Sequence, residues 1–295
     1  MNNSSGKTTH PSRRLLILAG LCGLLLLGSC YQKEEGCLDI RAVNFNVAAD
    51  KPCEEECCTY PQLSVKLEHK AVYPDTVFPF RYDSLYYVAS HPDVKFRFHR
   101  VRYYLSDVRL SRSNAIGRVT DSLTVYIPQS TVDTVPVRVV DDFILADRDF
   151  LQAFPLGTWD GEGAFDRLNF TIGLDEGLRF SDPLKIPSGH PLAAPIGGYN
   201  WEDGQGYISN FVRYSTEAQP GDTISVPITS PVQVSLILDP PLEIIQGYNI
   251  QLTLYINYLA WWEGLDLSTA SPEAIEQHYT TKAANAFYQV EVTFN

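Results

Sequence analysis

The chemistry open to this sequence rests first on its sulfur and imidazole. Cys37, Cys53, Cys57 and Cys58 lie in one short stretch. Outside a reducing compartment such a cluster reads as two disulfides, with three pairings possible. Cys57 and Cys58 are adjacent and so are expected to bond to different partners. Four thiolates also make a zinc site, but the spacing is not that of two matched C-x-x-C knuckles, and disulfides are the expectation. His69, His91, His99, His190 and His278 stand apart, none with a close histidine neighbour at helical spacing. His190, between Gly189 and Pro191, offers a lone loop ligand, and His278 another on a short helix. Met1 is the only methionine, so a methionine-rich site for a soft metal is excluded.

No catalytic signature accompanies these residues. The sequence has no G-x-S-x-G elbow, H-E-x-x-H pair, phosphate loop or dinucleotide fingerprint. Its 35 Asp and Glu nominate no opposed pair of carboxylates of the kind a glycosidase needs. The expectation is a protein that is not an enzyme.

The start of the chain gives its address. Lys7, Arg13 and Arg14 precede an apolar run at 15–27, and no acid occurs in residues 1–29. A basic start, a short apolar core and small residues at the cut describe a secretory signal. The run is shorter than the roughly 20 residues a membrane span needs. The run ends in Leu27-Gly28-Ser29-Cys30, which resembles the lipobox of bacterial lipoproteins. The resemblance implies cleavage after Ser29 and acylation of Cys30. Residues 30–36 then form a tether. Within it Lys33, Glu34 and Glu35 resemble the export tag of Bacteroidetes surface lipoproteins, which implies an outer-membrane protein exposed at the cell surface. Residues 37–61 resemble a cysteine-rich element found near the start of such surface proteins. A segment this short cannot bury a core of its own, and disulfides substitute for one.

Bulk composition fits an exported body. The 295 residues carry a formal charge of −12, and 44% are apolar, with 17 Tyr, 14 Phe and 4 Trp. An acidic surface argues against a nucleic-acid partner, which is held by Lys and Arg on phosphates.

Strands must position whatever site exists. Period-two alternation marks 63–68 and the long stretch 94–110, where Arg97, His99 and Arg109 fall on the polar phase. Further strands are expected at 123–127, 135–140, 165–173, 223–228, 232–238, 250–258 and 286–294. Turn chemistry at 220–222 and 239–241 separates some of them. Helices are few. Asp147 is expected to cap one over 148–154. Ser271 and Pro272 open another that runs to about residue 284. Many short strands with few helices predict an all-β antiparallel sandwich over 62–295.

Three stretches in this region resemble the MbnP-like copper-binding family. They are YYLSDVRL at 103–110, FTIG at 170–173, and a loop with Trp201 followed by Gly206 and Tyr207. The resemblance implies a copper or small-ligand binding accessory in nutrient uptake, with an outer-membrane transporter and a haem peroxidase as partners. In relatives a tryptophan of this loop is oxidised to kynurenine and helps hold copper. Carried onto this sequence, that places Trp201 and Tyr199 at the site, with His190 and His278 as the imidazoles to test. The family's methionine falls at Gly197, one of its tryptophans at Tyr199, and a frequent histidine near Phe180. Losing thioether and imidazole together implies a weakened or degenerate metal site. The alternatives are a subunit of an outer-membrane complex that binds no metal, or a glycan-binding module that uses surface aromatics; Trp261 and Trp262 are expected to be a packing pair rather than a stacking platform.

Overall fold

The computed structural model describes residues 32–54, 56–130, 133–193 and 199–295. The leader, Cys30 and Gly197 lie outside the described residues. None of the described helices is long and apolar enough to cross a membrane. The described chain divides into a small unit, residues 32–38 with 46–57, and a large one, residues 39–45 with 58–295.

The small unit is a turn-rich element around one two-strand ribbon, β1 (Glu35–Gly36) parallel to β2 (Lys51–Pro52). The amide of Asn46 bonds to the Cys37 carbonyl at 2.8 Å, and that of Cys53 to the Gly36 carbonyl at 3.1 Å. Cys53 is bridged to Cys57, and Cys37 is disulfide-bonded as well. Cross-links stand in for the apolar core that so few residues cannot build.

The large unit is a β-sandwich. In chain order its strands are β3 (Gln62–Tyr73), β4 (Thr76–Pro79), β5 (Tyr86–Val88), β6 (His91–Arg112), β7 (Ala115–Val119) and β8 (Ser122–Pro128). There follow β9 (Thr134–Val140), β10 (Ile144–Asp147), β11 (Phe154–Asp160), β12 (Ala164–Ile172), β13 (Trp201–Glu202) and β14 (Gly206–Tyr207). The last are β15 (Asn210–Thr216), β16 (Ile224–Ile228), β17 (Val232–Glu243), β18 (Ile250–Asn257) and β19 (Phe287–Phe294). A continuous hydrogen-bonded path runs β16-β15-β6-β7-β11-β3-β18-β19, with β12 joining β6 to β17. Within this unit the pairing is antiparallel except for β3 beside β18, which runs parallel. These two strands are far apart in the chain, so no hairpin fixes their relative direction.

Alternation works as expected in β3. Leu63, Val65, Leu67, His69 and Ala71 all point inward and are buried. Fully burying each of the larger aliphatic side chains stabilises the fold by about 1.5–3 kcal/mol. Trp261 and Trp262 are also fully buried. They pack edge-on to each other at 6.5 Å and against Tyr279 at 5.3 and 6.4 Å, so they offer no exposed platform to a sugar. Tyr279 comes from helix α1 (Pro272–Lys282), which begins where the sequence placed it. Ser271 is its N-cap and accepts the Ala274 amide at 3.3 Å, and Ile275 and Tyr279 form its buried face.

The helix expected over 148–154 does not form. Asp147 ends β10; its Oδ1 accepts the Asp149 amide at 3.1 Å in a single turn, and Arg100 and Arg102 hold the same carboxylate, each at 3.0 Å, but no helix follows the turn. Phe154 instead opens β11.

Candidate functional site

The residues that carried the family resemblance meet on one face of β6. Tyr103 points into the sandwich core, while its neighbour Tyr104 points the other way into a second apolar cluster. That cluster combines Leu123 and Val125 of β8 and Phe143 with Leu174, Ile186, Leu192 and Tyr207, and Trp201 packs on its edge. The connection between β12 and β15 is thereby folded down onto the outer face of β6.

Two glycines allow the connection to close. Gly173 has φ +107°, and a Cβ there would lie 2.6 Å from the Ser209 hydroxyl. Its amide bonds to the Tyr104 carbonyl at 2.8 Å, and Ser106 Oγ donates to the Gly173 carbonyl at 2.8 Å. Gly206 has φ +77°, and a Cβ there would collide with the Arg179 carbonyl. That same carbonyl accepts the Tyr207 amide at 2.8 Å. Both positions call for glycine because a side chain would meet backbone or hydroxyl atoms at a positive φ.

The aromatic residues are fixed by one another. Trp201 meets Tyr207 edge-on at 4.9 Å, and Tyr207 meets Tyr104 edge-on at 5.7 Å. Tyr207 donates its hydroxyl to the Leu192 carbonyl at 2.5 Å. The Tyr104 hydroxyl donates to the Pro191 carbonyl at 3.2 Å and accepts from Asn200 Nδ2 at 2.9 Å. Tyr199 leans on Phe211 at 4.7 Å, with the guanidinium groups of Arg100 and Arg102 at 5.7 and 5.8 Å from its ring centre.

His190 lies beneath this loop and is fully engaged. Its Nδ1 accepts the Leu192 amide at 3.0 Å, which fixes the proton on Nε2, and Nε2 donates to Asp141 Oδ1 at 2.8 Å. In this geometry the ring has no lone pair left for a metal. His278 has different surroundings. It sits on α1 beside the turn at Glu263 and Gly264, its Nε2 buried without a partner, and burial lowers its pKa. Tyr199, Trp201 and His190 therefore share one loop region, and among the described residues none of the contacts of His278 is with it.

These donors do not fit copper. His190 is engaged at both nitrogens, no methionine follows Met1, and residues 194–198 carry no ligating side chain. Outside the cysteine cluster, no three His, Cys, Asp or Glu ligand atoms among the described residues lie within 4.8 Å of one another. The bridged cysteines in turn carry no thiolate to bind zinc.

One charged residue beneath the loop was not among the expected site residues. Asp142 is buried, and its Oδ2 accepts the Val108 amide at 2.7 Å. Burial pushes its pKa up to about 6, against the opposing pull of the Val108, Asp107 and Asp142 amides. It secures a bulge in β6 where Asp107 adopts φ +53° and the register with β12 shifts.

The fold is an all-β sandwich in which Tyr104, Trp201 and Tyr207 pack beside the Gly173 turn. The sequence matches the MbnP family over residues 61–278, and the chain belongs to that family. Among solved structures it is similar to MbnP from Methylosinus trichosporium, with 11% identity and a TM-score of 0.30 over 66% of this chain and 75% of that one. The search of curated proteins gave no match.

Proposed function

We propose that this chain is an outer-membrane lipoprotein, held at the cell surface through Cys30, that acts in uptake by binding and not by catalysis. Its Trp201 loop is a degenerate metal site, and a transporter is the partner to which the sandwich docks. The observation that supports the degenerate site is the double engagement of His190 by Asp141 and Leu192. Membership of the MbnP family supports the accessory role, and the leader and lipobox support the address.

The test is elemental analysis of the protein purified from native membranes and washed with a chelator. The expected result is no stoichiometric copper. Imidazoles can take up Cu(II) adventitiously, so only chelator-resistant metal counts. One retained equivalent that Trp201→Phe removes, or a kynurenine mass shift on the Trp201 peptide, would establish a working copper site instead.

A further inference from the structure

The hydrogen-bonded path of the large unit ends on β19, and one side of that strand is open. We infer that β19 is a docking edge for a second copy of this chain, the two β19 strands pairing antiparallel about Val292. This is independent of the metal question, because β19 holds none of the residues of the Trp201 loop.

The backbone decides which residues face the open side. Asn249 and Asn295 exchange both of their bonds, amide to carbonyl, at 2.9 and 3.0 Å. In an antiparallel pair, residues that exchange bonds alternate with residues that turn their amides and carbonyls away. Following the register back from Asn295, Thr293 exchanges with Gln251, Glu291 with Thr253 and Gln289 with Tyr255, all across to β18. Val290, Val292 and Phe294 therefore turn their N–H and C=O groups to the open edge. None of these groups has a hydrogen-bond partner among the described residues.

Edges are normally closed to partners by proline, lysine or shortness. The eight residues of β19 include no proline and no cation. By contrast β16, at the other end of the path, has five residues and contains Pro227. β17 carries Pro240 and Pro241, β4 ends in Pro79, and β5 has three residues.

The side chains point to a second copy as the occupant. Val290, Val292 and Phe294 pack on the core yet remain half-buried, while Gln289, Glu291 and Thr293 are exposed. A strand that completes this layer must set apolar residues beside the first group and polar ones beside the second. β19 itself has that pattern. Charge then selects the register. With Glu291 at the centre, two carboxylates would stand directly opposite each other, which is destabilising. With Val292 at the centre, Val292 faces its own copy, Val290 faces Phe294 of the partner subunit, and Glu291 faces Thr293 of the partner subunit. The open amides and carbonyls of one copy then meet those of the other. Glu291 is also drawn along its own strand, accepting from Gln289 Nε2 at 2.9 Å.

Cysteine cross-linking of the full chain, in membranes and after detergent extraction, tests this. Val292→Cys would place two Cα atoms roughly 5.5 Å apart, within the roughly 4.4–6.8 Å that a disulfide spans, so mild oxidation is expected to give a reducible dimer. Thr293→Cys is out of line with its own copy and is expected to give at least ~10-fold less. Because Thr293 is exposed, its charge variants leave the packing alone and read the register. Thr293→Lys is expected to tighten self-association and Thr293→Glu to weaken it, each about 3-fold or more in dissociation constant, by sedimentation at up to about 100 μM. They decide the matter should Val292→Cys misfold. The inference is overturned if Val292→Cys folds and forms no dimer, or if Thr293→Cys cross-links equally well. It is also overturned if the two charge variants shift association alike, or if Val292→Cys links to a different protein instead.

Discussion

His69 and Tyr258 form a hydrogen-bonded pair inside the sandwich, Nδ1 to hydroxyl at 2.7 Å, with their rings stacked 5.7 Å apart and 7° from parallel. The Tyr258 hydroxyl also lies 3.2 Å from that of Tyr103, so a short polar chain crosses an otherwise aromatic core. Burial first, and the Arg148 cation second, lower the His69 pKa to about 4.

That shift has a definite sign. In the folded chain His69 stays neutral down to pH about 4, whereas the unfolded chain takes up a proton near pH 6.5. The stability it contributes is complete above pH 6.5 and is lost as pH falls towards 4. The full effect is of order 3 kcal/mol. His69→Gln keeps an acceptor for Tyr258 and does not titrate. Its melting temperature is expected to lie below that of the parent at pH 7.5, with the gap closing as pH drops. A gap that stays constant across this range would show that His69 titrates normally.

Asp142 works in the opposite direction over nearly the same window. Its folded pKa of about 6 lies above the ordinary 3.8, so the folded chain holds the proton more tightly. Its contribution favours folding below pH 3.8 and fades as pH rises through 6, by an amount of order 2–3 kcal/mol. Measured against the parent, Asp142→Asn is expected to abolish this slope. Because a side-chain amide puts an N–H where two carboxylate oxygens now face amides, it also costs about 1–3 kcal/mol at acidic pH. Thermal melts of the two single variants should therefore bend in opposite senses between pH 4 and 6. Parallel curves would disprove the assignment.

The His190–Asp141 bond is expected to act as the latch of the Trp201 loop. Removing either partner leaves the other half-satisfied, at a cost of about 1–3 kcal/mol. His190→Ala and Asp141→Ala are expected to be non-additive in a double-mutant cycle, with most of the loss present in either single change. Additive losses would mean that the pair does not hold the loop.

Gly117→Ala places a methyl group inside the space of the Trp159 indole. Overpacking of this kind costs about 1–3 kcal/mol. Urea melts followed by tryptophan fluorescence are expected to show both the lost stability and a changed indole environment. A wild-type midpoint and emission would mean that the indole moves aside freely.

Much of this architecture can be read from side-chain periodicity, and the exceptions have causes. The alternation in β3 and β6 and the Ser271–Pro272 helix start are local signals. β15 escaped notice because it is covered on both faces, with every residue buried except the half-buried Arg213, and so shows no alternation. β11 was hidden by Pro155 and Gly157, which mark a register shift against β3. The helix expected after Asp147 shows the limit of a capping residue read alone, because the cap-type bond to the Asp149 amide forms and no helix follows it. His69 did leave a trace, since it falls on the inward phase of β3. His190 stood out as a loop imidazole, but its pairing left no trace, because its partner Asp141 lies 49 residues away.

The parallel contact of β3 with β18 sets the order in which the chain can be completed. Strand β3 is the first long strand to be synthesised, yet its parallel partner spans Ile250–Asn257, near the end. Pairings so distant in sequence close late and slowly. Until the last strands emerge, β3 can pair with β4 and β11 but not with β18. One side of β3 is therefore an unpaired strand edge until residues 250–257 are made, so the closing seam of the sheet is also its last protected edge.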